Sequence, residues 1–135
     1  MTTTLFLSGD GQTHRKMTTP CHGGEGEWYF RDLLAPLAAS EVLFIKFIHD
    51  DIIPPGSTFG AHCHGGDAGG PEEEWYYCLS GRGVMMLDGR EHEMTAGDLA
   101  VCYAGGCHGL RNTGSEAMRI IVICASPCRT AGQEA

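Results

Sequence analysis

The chain has 135 residues, 42% of them apolar and 19% charged, which is one domain with enough apolar material for a core of its own. Its 20 glycines are about twice the roughly 7% of average proteins. They lack the three-residue period of collagen, so they call for many tight turns. With 9 Lys+Arg against 17 Asp+Glu the formal net charge is −8, which excludes a partner held through its phosphates and argues against an anionic membrane surface.

The N-terminal residues lack the basic start and long apolar stretch of a signal peptide. The longest apolar run, Ile120 to Ala125, is far below the roughly 18 residues of a membrane span. Seven cysteines are an odd number, and without a secretory signal they read as reduced thiols of a cytoplasmic protein.

In chain order, residues 1–40 read as a polar arm, with turns at Gly9-Asp-Gly11 and over Cys21 to Gly26 and a short strand at Trp28 to Phe30. One or two helical turns are expected over Asp32 to Ala39, broken by Pro36. From residue 41 the pattern is β. Strands are expected at Val42 to Ile48, Thr58 to His64, Trp75 to Leu79, Gly83 to Leu87, Arg90 to Met94, Leu99 to Tyr103, Cys107 to Arg111 and Met118 to Ala125. Between them lie glycine turns, the strongest a hairpin at Asp88-Gly89. Residues 41–126 therefore predict a barrel or sandwich, and 127–135 a polar tail.

The chemistry lies in the histidines. His62 and His64 are two apart on an expected strand, so their imidazoles share one face. Glu74 opens the next strong strand and His108 lies on a later one. Three imidazoles and a carboxylate converging in a barrel would hold Mn, Fe, Co, Ni, Cu or Zn with positions left open. His22, His49 and His92 read as surface or structural residues. Gly81-Arg-Gly83 does not continue into a dinucleotide fingerprint, and neither a phosphate loop nor a nucleophile elbow occurs.

Two spacings extend this. Gly56, five residues, His62-Cys-His64, then Glu74, six residues and Gly81 resembles the first motif of the cupin family, G-x5-H-x-H-x3-4-E-x6-G. Gly97, five residues, Tyr103, Ala104, Gly105, two residues, His108, three residues and Asn112 resembles the second, G-x5-P-x-G-x2-H-x3-N. The resemblance runs from about Val42 to Ala125. It implies a double-stranded β-helix (jelly-roll) barrel with one divalent transition metal ion on His62, His64, Glu74 and His108. The sequence departs from the pattern in two places. Nine residues separate His64 from Glu74 where the family has three or four, and Tyr103 replaces the motif proline. In the run Glu72-Glu-Glu74 the distance to Gly81 favours Glu74, Glu73 falls on the opposite face, and Glu72 shares the parity of Glu74.

If Glu74 points inward, Tyr76 and Cys78 do too, while Trp75 and Tyr77 point out. Tyr76 is then placed either to donate a hydrogen bond to a bound ligand, as a catalytic group, or to pack the barrel. Cys63 and Cys107 should face away from the ligands, and Cys78 and Cys102 should be small core residues. The resemblance implies a metal-dependent enzyme on a small polar or anionic molecule, with a lean toward dioxygenase or other oxidoreductase chemistry. Decarboxylation, sugar isomerisation and non-catalytic binding or sensing remain open. It also implies a homodimer, in which the arm's strand at Trp28 to Phe30 is free to extend a partner's sheet.

Overall fold

The computed structural model describes residues 4–37, 44–64 and 71–126. Among these the strands are β1 (Arg15–Lys16), β2 (Tyr29–Asp32), β3 (Ile45–Ile53), β4 (Thr58–Cys63), β5 (Glu73–Ser80), β6 (Arg82–Leu87), β7 (Arg90–Thr95), β8 (Leu99–Cys102), β9 (Cys107–Asn112) and β10 (Met118–Ala125). No α-helix occurs among the described residues, and residues 33–37 form turns. The rest of the expected helical segment, the start of the strand at Val42, the glycine loop over 65–70 and the tail lie outside them.

The strands make two antiparallel sheets, a six-stranded one ordered β1-β2-β3-β10-β5-β8 and a four-stranded one ordered β4-β9-β6-β7. The non-sequential neighbours are those of the jelly-roll barrel that the motifs imply. Alternation decides which side chains enter it. On β10 Met118, Ile120, Val122 and Cys124 are buried, and on β5 Glu74, Tyr76 and Cys78 are, whereas Trp75 and Tyr77 are exposed. Across the sheets they meet Phe59, Met85, Met94 and Leu110.

The turns explain the glycine excess. The family-motif glycines Gly56, Gly81, Gly97 and Gly105 all have positive φ. At Gly81, φ is 81° and a Cβ would lie 2.8 Å from the Met118 Cα, so both conformation and space require glycine there. Asp88 (φ 49°) and Gly89 (φ 80°) form the two-residue turn joining β6 to β7, with both central residues left-handed as a type I′ hairpin demands.

The N-terminal segment is built into the barrel. β2 pairs with β3 of its own chain and β1 with β2, so the strand expected to extend a partner's sheet is taken up in this chain's own. Trp28 is 4% exposed and packs edge-on against Phe59. Its indole Nε1 donates to Asp51 Oδ2 at 2.9 Å. The adjacent Asp50 points to the other face, where Arg119 donates to both its oxygens and Arg31 to one. Consecutive aspartates thus fasten the segment from both sides of the sheet.

Candidate metal centre

β4 and β9 place the histidines. His62 lies directly opposite His108, and the ladder shifts register between Phe59 and His62, a bulge that re-aims the end of β4 into the barrel. His64 follows the strand's last residue, and Glu74 is the second residue of β5 on the facing sheet. His64 Nε2 is 2.8 Å from His108 Nε2, and both lie 3.3 Å from Glu74 Oε2. His62 has its Nδ1 3.0 Å from the Gly60 carbonyl. That bond places the proton on Nδ1 and the lone pair on Nε2. The His62 Nε2 is buried and has no protein partner. One ligand atom from each of the four residues lies within 4.8 Å of all the others.

The charge state suits a cation. Burial alone would raise the Glu74 pKa, but hydrogen bonds involving His108 and Tyr76 and the neighbouring imidazoles outweigh it and bring the group to about 2. It is a carboxylate at neutral pH. Burial lowers the His62 pKa, so that ring is neutral with its lone pair available. Burial first, then the Glu74 charge, holds Tyr76 well above the usual phenol range, so its hydroxyl stays a donor. An unpartnered buried nitrogen facing two imidazoles and a carboxylate is the donor set of a divalent transition metal, and the residues fit one.

The three glutamates have separate fates. Glu74 joins the cluster, Glu73 accepts from the Trp75 indole on the outer face, and Glu72 pairs with Lys46 at 2.6 Å. Tyr76 donates to Glu74 Oε2. His92 is exposed, and His49 stacks on Phe47.

The cysteines correct one expectation. Cys63 and Cys107 face away from the ligands, but they are bonded to each other as a disulfide. They are opposite residues on neighbouring strands with Cα atoms 3.9 Å apart, a proximity that linear spacing does not reveal. The reading of all the cysteines as reduced thiols fails at this pair, and with it their argument for a reducing compartment. Among the described residues Cys21, Cys78, Cys102 and Cys124 are free, the last three buried. No helix among them is long and apolar enough to cross a membrane.

Two residues of the site region escaped the sequence reading. His22 stacks on His62, with ring centroids 3.6 Å apart and planes 17° from parallel. Asp51, 4% exposed, carries one oxygen without a partner. Burial raises its pKa to about 7 despite the Trp28 hydrogen bond, with the charges of Asp50 and Glu74 adding to the rise. The only signal for His22 was its neighbouring glycine pair, and Asp51 lies beyond the strand expected to end at Ile48.

The fold and this cluster define a small β-barrel with an internal His/Glu site, and comparison with known proteins gives it a family. The cupin domain model matches residues 51–124, and the chain belongs to the cupin family. It is 33% identical over 103 residues to an oxalate-binding protein of Thermotoga maritima, covering 75% of this chain and 78% of that protein. It is 34% identical over 97 residues to an uncharacterized protein of Methanocaldococcus jannaschii, covering 72% and 71%. Among solved structures, that of a predicted oxalate decarboxylase from Thermotoga maritima superposes with a TM-score of 0.76 at 27% identity, covering 90% of this chain and 98% of that one.

Proposed function

We propose that His62, His64, Glu74 and His108 hold one divalent transition metal ion, and that the centre binds a small dicarboxylate of the oxalate class. The observation that carries this is the meeting of three imidazole nitrogens and Glu74 Oε2 around one point inside the barrel. When bound, the ion supplies Lewis acidity and residual positive charge, because one carboxylate leaves a divalent cation only half neutralised. The chain's own part is to keep the His62 ring neutral, hold Glu74 ionised, and shield the centre with Phe59 and Tyr76, whose rings lie 5.2 and 5.1 Å from that of His108. Tyr76 acts in this reading by fixing Glu74 rather than by touching the ligand.

The oxalate-binding relative supports the ligand class. The dioxygenase chemistry expected from the sequence has no such support from the relatives named above. Decarboxylation is the second reading, favoured by the likeness to the predicted oxalate decarboxylase. The test is metal analysis of purified protein, then calorimetric titration of metal-loaded and metal-stripped protein with oxalate. Stoichiometric metal and metal-dependent oxalate binding are expected, and saturation of the stripped protein by oxalate would reject the centre's role. Formate and CO2 released from bound oxalate would establish the decarboxylase reading.

We further propose that the chain is a homodimer joined through the outer face of the six-stranded sheet. Trp75, Tyr77, Leu79 and Leu99 are 37%, 43%, 43% and 52% exposed there, and Tyr77 lies opposite Leu99 in the ladder. A contiguous apolar face of this kind marks an interaction surface. Sedimentation equilibrium is expected to give a dimer that Tyr77→Glu weakens, and a wild-type monomer at micromolar concentration would exclude it.

A further inference from the structure

The three imidazoles of the cluster are not equally supported. His64 and His108 are oriented by each other and by Glu74, with Nε2 of both 3.3 Å from the same carboxylate oxygen. The Nε2 of His62 has no protein partner, so no hydrogen bond inside the cluster sets the angle of that ring, and the His64 and His108 rings stand 4.9 and 4.6 Å from it. It is framed from outside. The Gly60 carbonyl receives Nδ1, Phe59 stands edge-on at 5.6 Å, and His22 covers the face at 3.6 Å.

His22 reaches this place by an uncommon route. Its φ and ψ are 49° and 39°, left-handed for a residue with a side chain. Close backbone packing secures the turn. A Cβ on Gly60 would collide with the His22 carbonyl oxygen, and one on Gly24 with the Thr58 carbonyl oxygen. The segment is then stitched to β4. The Glu25 N–H donates to Thr58 Oγ1 at 2.7 Å, the Thr58 N–H to the Glu25 carbonyl at 2.8 Å, and the Glu27 N–H to Ser57 Oγ at 2.9 Å. A sparsely populated backbone conformation persists where its surroundings over-determine it, and such residues concentrate at functional sites. Gly60 joins both halves, since it admits the His22 backbone and its own carbonyl orients His62.

We propose that His22 is a positioning residue of the metal centre: delivered by the N-terminal segment, its ring lies flat on His62 and holds that Nε2 toward the other ligands. The proposal rests on the four-ligand reading above and adds the N-terminal segment to the working site. It makes ring shape, rather than the His22 nitrogens, the property that matters.

Two variants separate these properties. His22→Asn keeps a side chain that tolerates the left-handed backbone but removes the ring. His22→Phe keeps a flat ring and removes the nitrogens. Each full-length protein is titrated with Co(II) and followed by the visible absorption of the bound ion. His22→Asn is expected to weaken Co(II) binding by about tenfold or more, in the range that supporting partners of metal ligands contribute. His22→Phe is expected to stay within about threefold of wild type with the wild-type spectrum. A folded His22→Asn that binds as tightly as wild type overturns the positioning role, and so does a folded His22→Phe that binds as weakly as His22→Asn. Should His22→Asn fail to fold, His22→Phe decides alone, since tenfold weakening in it rejects the role and retention supports it. If wild-type protein takes up no Co(II), the metal reading itself fails, an outcome distinct from variants that match a wild type that binds.

Discussion

The Tyr76 hydroxyl donates to Glu74 Oε2 at 2.7 Å from two residues along the same strand. That oxygen is also the one equidistant, at 3.3 Å, from the His64 and His108 nitrogens. Alternation on β5 creates the pair, because residues i and i+2 of a strand share a face. A buried carboxylate is thereby kept ionised in surroundings that would otherwise favour its protonated form.

Tyr76→Phe removes that donor and leaves the ring. The depressed Glu74 pKa of about 2 means the carboxylate is lost only as pH falls through that value, and its stabilising contribution is fully present above the unfolded value near 4.5. Without the hydroxyl the pKa rises, so the charge is lost at higher pH. Metal affinity is expected to fall about tenfold or more, with a larger deficit at pH 5 than at pH 7.5. A deficit equal at both pH values, read by metal titration, would show that the hydroxyl does not hold the Glu74 charge.

Asp51 should give the opposite pH dependence. Its pKa is raised by burial from 3.8 to about 7. The folded chain therefore keeps a proton that the unfolded chain releases, and the group's contribution to stability declines as pH rises from about 4 to about 7 and is level above. Asp51→Asn keeps an acceptor for the Trp28 indole and does not titrate. Relative to wild type its melting temperature is expected to climb across that window. Parallel melting profiles from pH 5 to pH 8 would refute the assignment.

The fold was legible because its signals are local. Composition and glycine turns marked β5 and β10, period two gave the inward side of β5, and positive-φ glycines fell at the corners that motif spacing implied. The convergence of His62, His64, Glu74 and His108 was legible only because two spaced motifs tie distant strands together. β3 runs on to Ile53 past the expected end at Ile48, because Asp50 and Asp51 find partners on both sides of the sheet, an arginine pair on one face and Trp28 on the other. The Cys63–Cys107 bond and the His22–His62 stack join residues 44 and 40 positions apart. Neither leaves a periodic trace, because each is made by tertiary packing.

The disulfide should contribute to stability through the chain it closes. It joins residues 44 apart, and a loop of that length corresponds to about 4 kcal/mol of lost unfolded-state entropy in the chain-entropy model. Alkylation of the unreduced, denatured protein is expected to spare Cys63 and Cys107 alone among the cysteines of the described segments. Reduction, or Cys63→Ser, is expected to lower the denaturation midpoint by a large fraction of total stability. A midpoint unmoved by reduction would mean that the pair does not bond in solution. Because Cys63 sits between His62 and His64 and Cys107 precedes His108, the same treatment should weaken metal binding.

Asn112 ends the second motif, and its position explains the residue type. It is 2% exposed, its Nδ2 donates to the carbonyls of Ile53 and Glu116 at 2.8 Å each, and its Oδ1 accepts from the Gly114 N–H at 2.8 Å. One amide thus ties the end of β3 to the turn between β9 and β10, which only a side chain with both donors and an acceptor can do. Asn112→Ala leaves buried backbone groups unpaired and is expected to cost about 2–3 kcal/mol. Asn112→Asp should cost more, since a carboxylate cannot donate to either carbonyl. The four ligands are untouched, so the surviving folded fraction should bind metal with wild-type affinity. Urea denaturation alongside metal titration checks both, and a loss of affinity without a loss of stability would place Asn112 in the metal centre instead of the scaffold.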